Sequence, residues 1–536
     1  MQHYFLTVLL LITFLTTNHT QTSPFQIAID PMNIDGLGGV HSFALGQYDG
    51  KWLIIGGRLD GLHRRQPWAA FDEAGNNDQL IVVDPVNQQH WSASIESLPF
   101  SIQEQLSSTN PQFSQEGEYL YIIGGYGYSP TAADHITHSK LTAVKVDAVI
   151  DAVINGQPFA AYFRQITDEK FEVTGGYLNK IYDTYYLTGG QKFTGRYNPM
   201  NGPSFVQEYT NAIRKFTIQD DGVNLAVTHL TEILDTDNLH RRDYNVAEQI
   251  MPNGEQGLTA FSGVFQKDID LPFLNCVNID STGYAVNNDF AQYYNHYHCA
   301  HISIYSAEDN EMHTVFFGGI AQYYEANGEL IQDDDVPFVK TIARVTRDAE
   351  GVMAEYKLPV EMPGLLGAGS EFIPVEGLPQ YNNGVLSLDD FPMDTVLVGY
   401  IYGGISSTEA NIFFINDGSQ SSANSQIFKV FLIKDGSVGT DELNEQSTGS
   451  LQLQLFPNPT KDTIILKFKL KKSTDVKLNI FDLNGRLIEQ TVIENAPQGL
   501  NTYAQDITSL GSQLNGVYYL SIETEDTKAV QKLIIE

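Results

Sequence analysis

A run of β-forming side chains that ends on glycine recurs along most of this chain. The copies are KWLIIGG (51–57), YLYIIGG (119–125), TYYLTGG (184–190), TVFFGG (314–319) and GYIYGG (399–404), with a weaker TAFSG (259–263) between the third and the next. A repeat of this kind cannot bury its own faces, so the chain has to stack one copy against another. Short apolar runs read as buried strands, and a glycine pair admits backbone angles that other residues avoid. Further strand candidates follow several copies, at 78–91, 141–149, 211–222 and 426–436. With Gly 45, Tyr 28 and Phe 29, the composition suits an all-β chain of many short strands and turns.

The pattern resembles the kelch repeat, in which apolar residues precede a Gly–Gly and spaced aromatics follow. In the first copy Trp91 comes after an Asp84–Pro85 turn, as it does in kelch blades. The resemblance implies a kelch-like β-propeller over residues 24–436, with six blades for six copies. The copies are longer and more degenerate than the usual repeat. PFQIAI (24–29) is expected to close the ring by pairing with the last blade.

The two ends read differently. Tyr4 to Leu15 is apolar but too short to span a bilayer, and residues 1–20 read as a signal peptide. No other segment is long and apolar enough for a transmembrane anchor. Residues 437–450 are polar and Gly/Ser-rich, as in a linker. Beyond them, 451–468, 476–488 and 515–536 alternate apolar and polar residues, with turns at Asn458–Pro459, Asn484–Gly485 and Asn515–Gly516. A small β-sandwich over 451–536 is expected. FPNP (456–459), FDLNGR (481–486), GVYYL (516–520) and KLIIE (532–536) together resemble the type A C-terminal sorting domain of the type IX secretion system. That resemblance implies the type IX machinery as a partner, and a protein secreted from, or held on the outer surface of, a Gram-negative bacterium.

Net charge is −34, and 451–536 contribute almost none of it. So acidic a body argues against nucleic acid and anionic membranes as partners and leaves cations and uncharged ligands. No P-loop, G-x-G-x-x-G after a strand, G-x-S-x-G or H-E-x-x-H occurs, so large enzyme classes find no support.

In a propeller, ligands meet the mouth of the central channel, where the innermost strands begin. Positions ahead of each glycine pair give His41, Arg242, Asn245, His298, His301 and Glu371 as candidates for a channel-mouth site. Gln112 and Thr174 occupy the same place in the second and third blades. YYNHYHCAH (293–301) concentrates three of the histidines. If the stretch is extended, His296 and His298 share one face and form an H-x-H pair, two of the three or four ligands that a metal requires. Nothing else in the chain requires a cofactor. Cys299 and Cys276 are the only cysteines, and in an oxidising compartment they are expected to form a disulfide.

Fold does not fix function here. The leading expectation is an exported propeller that binds a protein or glycan ligand. The alternatives are an enzyme acting on a sugar at the channel mouth and a structural surface component. The enzyme reading requires at least two titratable side chains to converge on one pocket.

Overall fold

The computed structural model describes residues 24–200, 202–391, 395–434, 451, 453–456, 460, 463–481, 487–507, 516–524 and 528–535. The expected signal peptide (1–20), the linker (437–450), the Asn458–Pro459, Asn484–Gly485 and Asn515–Gly516 turns, and much of FPNP and FDLNGR lie outside these residues. The chain divides into a compact unit Phe25–Ile433 and a second that holds Lys434–Glu536. Among the described residues no helix is long and apolar enough to cross a membrane.

The larger unit is built from six sheets whose main strands follow one another in order. Their first strands are Ala44–Tyr48, Gln112–Glu116, Tyr177–Ile181, Asn245–Ile250, His301–Ser306 and Leu365–Pro374. Each pairs antiparallel with a second strand, and that strand carries or immediately precedes the glycine motif. The last sheet is completed from the other end of the unit: Phe25–Met32 hydrogen-bonds to Ile427–Lys434 as its fourth strand. A seventh four-stranded sheet joins Tyr126–Ser129 and Asp134–Thr137 to Gln191–Gly195 and Phe205–Tyr209, all inserted between main strands.

One expected strand is cut short. The 141–149 stretch is extended only to Lys145, where the helix Val146–Asn155 begins. Val146, Val149, Ile150 and Val153 recur at helical spacing and are buried, so period 3.6 displaces period 2. Gly156, at φ 62°, ends the helix in the left-handed region.

The glycine pairs are seams between sheets. The second glycine of each pair donates its N–H to a carbonyl just ahead of the next sheet's first strand, or in one case at its start: Gly57 to Ser108, Gly125 to Val173, Gly190 to Arg241, Gly319 to Leu366 and Gly404 to Val40, all at 2.8–3.0 Å. The last of these runs from the sixth sheet back to the first. The first glycine sits against the same backbone. A Cβ on Gly124 would lie 1.9 Å from Val173 O, and one on Gly318 2.2 Å from Leu366 O. The weaker copy, Ser262–Gly263, is the exception. There the side chain of Asn245 makes the join, accepting from Cys299 N at 3.0 Å and donating to Tyr297 O at 3.1 Å.

A second set of bonds ties the entries of the first strands. Asn110 N–H donates to Ser42 O, Gly175 to Asn110, Asp243 to Gly175, His298 to Asp243, Gly369 to His298 and Ser42 to Gly369, at 2.7–3.3 Å. The six peptide groups form a closed cycle. Five of the six residues have φ between 48° and 72°. At Gly369 a Cβ would stand 2.7 Å from Ser42 Oγ, which explains glycine there.

In the second unit, a three-stranded sheet (Gln454–Phe456, Thr463–Leu470, Gly499–Asp506) and a four-stranded sheet (Leu487–Ala496, Thr474–Phe481, Gly516–Glu523, Lys528–Ile535) share one core. Ile464, Leu466 and Phe468 of the first pack with Leu478, Ile480, Leu520 and Leu533 of the second. Inward residues alternate along Thr463–Leu470, as in a β-sandwich.

Candidate functional site

A cavity of about 340 Å³ is lined by the first strand of every one of the six sheets. Gln47, Gln115, Asn179, Glu248, Ser303 and Glu371 each come from a different sheet. Tyr177, His298 and His301 complete its ionisable wall, and no Arg or Lys lines it.

His298 and Glu371 form the centre of the site. Nε2 and Oε1 lie 3.0 Å apart, although the two atoms do not have the alignment of a hydrogen bond. Their side chains keep 18 % and 10 % of their surface open. Burial works to lower the His298 pKa. The charges of Glu371 and Asp243 oppose it and win, so His298 is raised above an ordinary histidine and favours the imidazolium. His301, two strand positions from Ser303, is instead lowered to about 4 by burial and stays neutral. The Tyr177 ring lies 5.5 Å from His298 and 6.0 Å from His301, and burial, then Glu371 and Glu248, hold its hydroxyl protonated. Glu248 accepts from Asn179 Nδ2 at 2.9 Å, and burial raises its pKa.

The wall carries buried polar atoms that make no hydrogen bond in the protein: Gln112 Oε1, Asn179 Oδ1, Ser303 Oγ, Asn383 Oδ1, and the facing His298 Nε2 and Glu371 Oε1. Buried polar groups are ordinarily satisfied, so six around one cavity mark a place made for a polar ligand. A larger, open cleft of about 520 Å³ beside Tyr293 and Tyr356 lacks this character. Its Glu355 accepts from the Tyr293 and Tyr294 backbone N–H groups at 2.5 and 3.2 Å, and its Glu325 from Tyr294 Oη at 2.9 Å.

Of the six candidates read from the sequence, His298, His301 and Glu371 meet at this cavity and the other three do not. His41 turns away, its Nδ1 3.0 Å from Ser42 Oγ and its Nε2 3.2 Å from Gly61 O. Arg242 is held outside the peptide cycle by Asp243 (2.9 Å) and Tyr209 Oη (3.1 Å). Asn245 is spent on the seam to Cys299 and Tyr297.

The expected H-x-H pair does not form. The strand begins only at His301, and Asn295 turns left-handed at φ 57°. Both ring nitrogens of His296 are occupied, Nε2 by Gln292 O at 2.7 Å and Nδ1 by Gln322 N at 3.1 Å. Among the described residues no group of three or more His, Cys, Asp or Glu is placed to hold a metal.

Cys276 and Cys299 are free thiols, not a disulfide. Cys276 lies in a third strand with Sγ 3.7 Å from Met353 Sδ, and Cys299 Sγ is 3.8 Å from Asn245 Nδ2. Burial pushes both thiols up to about 12, so neither is a nucleophile.

Glu248, Tyr177 and Asn179 are absent from the sequence reading, which examined only the strand entries. The available signal was an ionisable residue inside NVAEQI, between a strand start and a glycine motif.

The profile of a family described as the secretion system C-terminal sorting domain matches residues 454–536. The chain therefore carries a type IX sorting domain, the address of proteins exported to the cell surface or medium. A solved structure titled "Structure of YjhT" is similar at TM-score 0.41 and 11 % identity, over 73 % of this chain and 95 % of that one. No curated protein matches the chain.

Proposed function

We propose that residues 25–433 form a kelch-like propeller of six blades, and that the exported protein is an enzyme acting on a sugar inside its central cavity. The observation that carries the reading is the convergence of His298 and Glu371, within 3.0 Å, on a cavity walled by all six first strands. The head-to-tail peptide cycle and the Phe25–Met32 pairing support the ring.

An imidazolium beside a carboxylate supplies a proton donor and a proton acceptor in one place, as general acid–base chemistry on a hydroxyl or ring oxygen requires. Tyr177 stays protonated and offers a further hydroxyl. The unpartnered side-chain oxygens would take hydroxyl donors from the sugar. A cavity of about 340 Å³ suits a mono- or disaccharide.

The test is proton NMR of the purified full chain with a panel of free sugars and aryl glycosides, reading changes at the anomeric signals. Turnover by the wild type should fall about 100-fold or more in Glu371→Gln and in His298→Ala. Saturable binding with no turnover of any panel member would return the protein to the alternative of a glycan-binding protein.

A further inference from the structure

We propose that the sugar bound in the cavity carries a protonated amine, and that Glu248 is the residue that receives it. The inference rests on the sugar-site reading above.

The wall holds two carboxylates and no Arg or Lys. Glu371 has His298 as its cation. Glu248 has no counterpart: its one side-chain partner in the cavity is the neutral amide of Asn179, at 2.9 Å. Charged groups removed from water are ordinarily paired, and a carboxylate facing a cavity without a cation is a place for the ligand to bring one. Most of the remaining unpartnered groups have the same polarity. Gln112 Oε1, Asn179 Oδ1 and Asn383 Oδ1 are acceptors, Ser303 Oγ can accept, and His298 Nε2, which faces Glu371, is the one donor. Together they call for a ligand rich in donors.

The arrangement also excludes. A sugar acid would place its carboxylate among Glu248, Glu371 and amide oxygens, where the one cation, His298, is already paired with Glu371. Such a like-charge contact in a partly desolvated site repels. A neutral sugar satisfies the amide oxygens but leaves Glu248 unpaired. A 2-amino-2-deoxyhexose satisfies both: three or more hydroxyl donors for the oxygens, and an ammonium with three N–H donors for Glu248.

Calorimetric titration of the full chain tests this. Glucosamine, galactosamine and mannosamine are compared with their N-acetyl forms and with glucuronic acid, at mildly acidic pH, where the amine is charged. One free amine should bind roughly 10- to 100-fold more tightly than its N-acetyl form, the weight of one charge-assisted hydrogen bond, and glucuronic acid should not bind. Glu248→Gln should erase the preference while retaining binding of the N-acetyl form, and its thermal melt should match the wild type. An N-acetyl sugar or uronic acid that binds the wild type as well as the amine does would overturn the inference, as would a preference that survives Glu248→Gln. Should the preference hold while the wild type turns over none of these sugars, the amine site stands and the enzyme reading fails. Should no sugar bind the wild type, both fail.

Discussion

His298 is pulled in two directions. Burial favours the neutral ring, whereas Glu371 and Asp243 favour the cation and prevail. Its folded pKa therefore lies above its unfolded value of about 6.5. The sign of the linkage follows. Stability from the His298–Glu371 pair is fully present below the unfolded pKa and is lost as pH rises through the folded one. The difference in melting temperature between wild type and Glu371→Gln should be largest near pH 6 and should shrink towards pH 9. A difference that grows with pH would show that Glu371 does not hold the imidazolium. His301 lies in the same wall without such a charge partner and goes the other way, to about 4. Two histidines three positions apart thus shift in opposite directions, and only their surroundings separate them.

At the scale of the element, the glycine pair deserves a different account from the one its sequence suggests. As a strand terminator it would tolerate any residue able to turn. As a seam, its first member has no room for a side chain. Gly124→Ala sets a Cβ against the Val173 carbonyl at 1.9 Å on a left-handed backbone, and should cost about 3 kcal/mol or more in chemical denaturation. Gly117→Ala is the control. Its φ is 58°, nothing lies within 4 Å of the added Cβ, and a loss of only about 1 kcal/mol is expected. Equal losses would mean that the glycines serve backbone angle alone. The repeat itself was legible because local physics writes it: apolar alternation and glycine show in any single copy. The partner of each glycine was not legible, because it belongs to the next sheet. YYNHYHCAH shows the same limit. Its residues suggested a metal pair and a disulfide, yet Asn295 reaches back to Gly318 O (2.5 Å) and Thr341 O (2.9 Å), and His296 is consumed by its own loop. Tertiary hydrogen bonds decide what these side chains do, and nothing in their spacing records those bonds. Three of six site candidates missed for a related reason: strand entries were counted as lining the cavity, whereas several of them hold neighbouring sheets together.

For the molecule as a whole, function is divided between two units. The second carries the export address at 454–536. A chain lacking 454–536, expressed in a bacterium with type IX secretion, should be found in the periplasmic fraction by immunoblot. Appearance of the truncated chain on the surface or in the medium would show that the address lies elsewhere. The larger unit carries the cavity, and the cycle of six peptide groups beside it is made of backbone alone. Such a cycle survives any change of side chain that its backbone angles admit, whereas proline at any of the six positions removes one N–H and opens it.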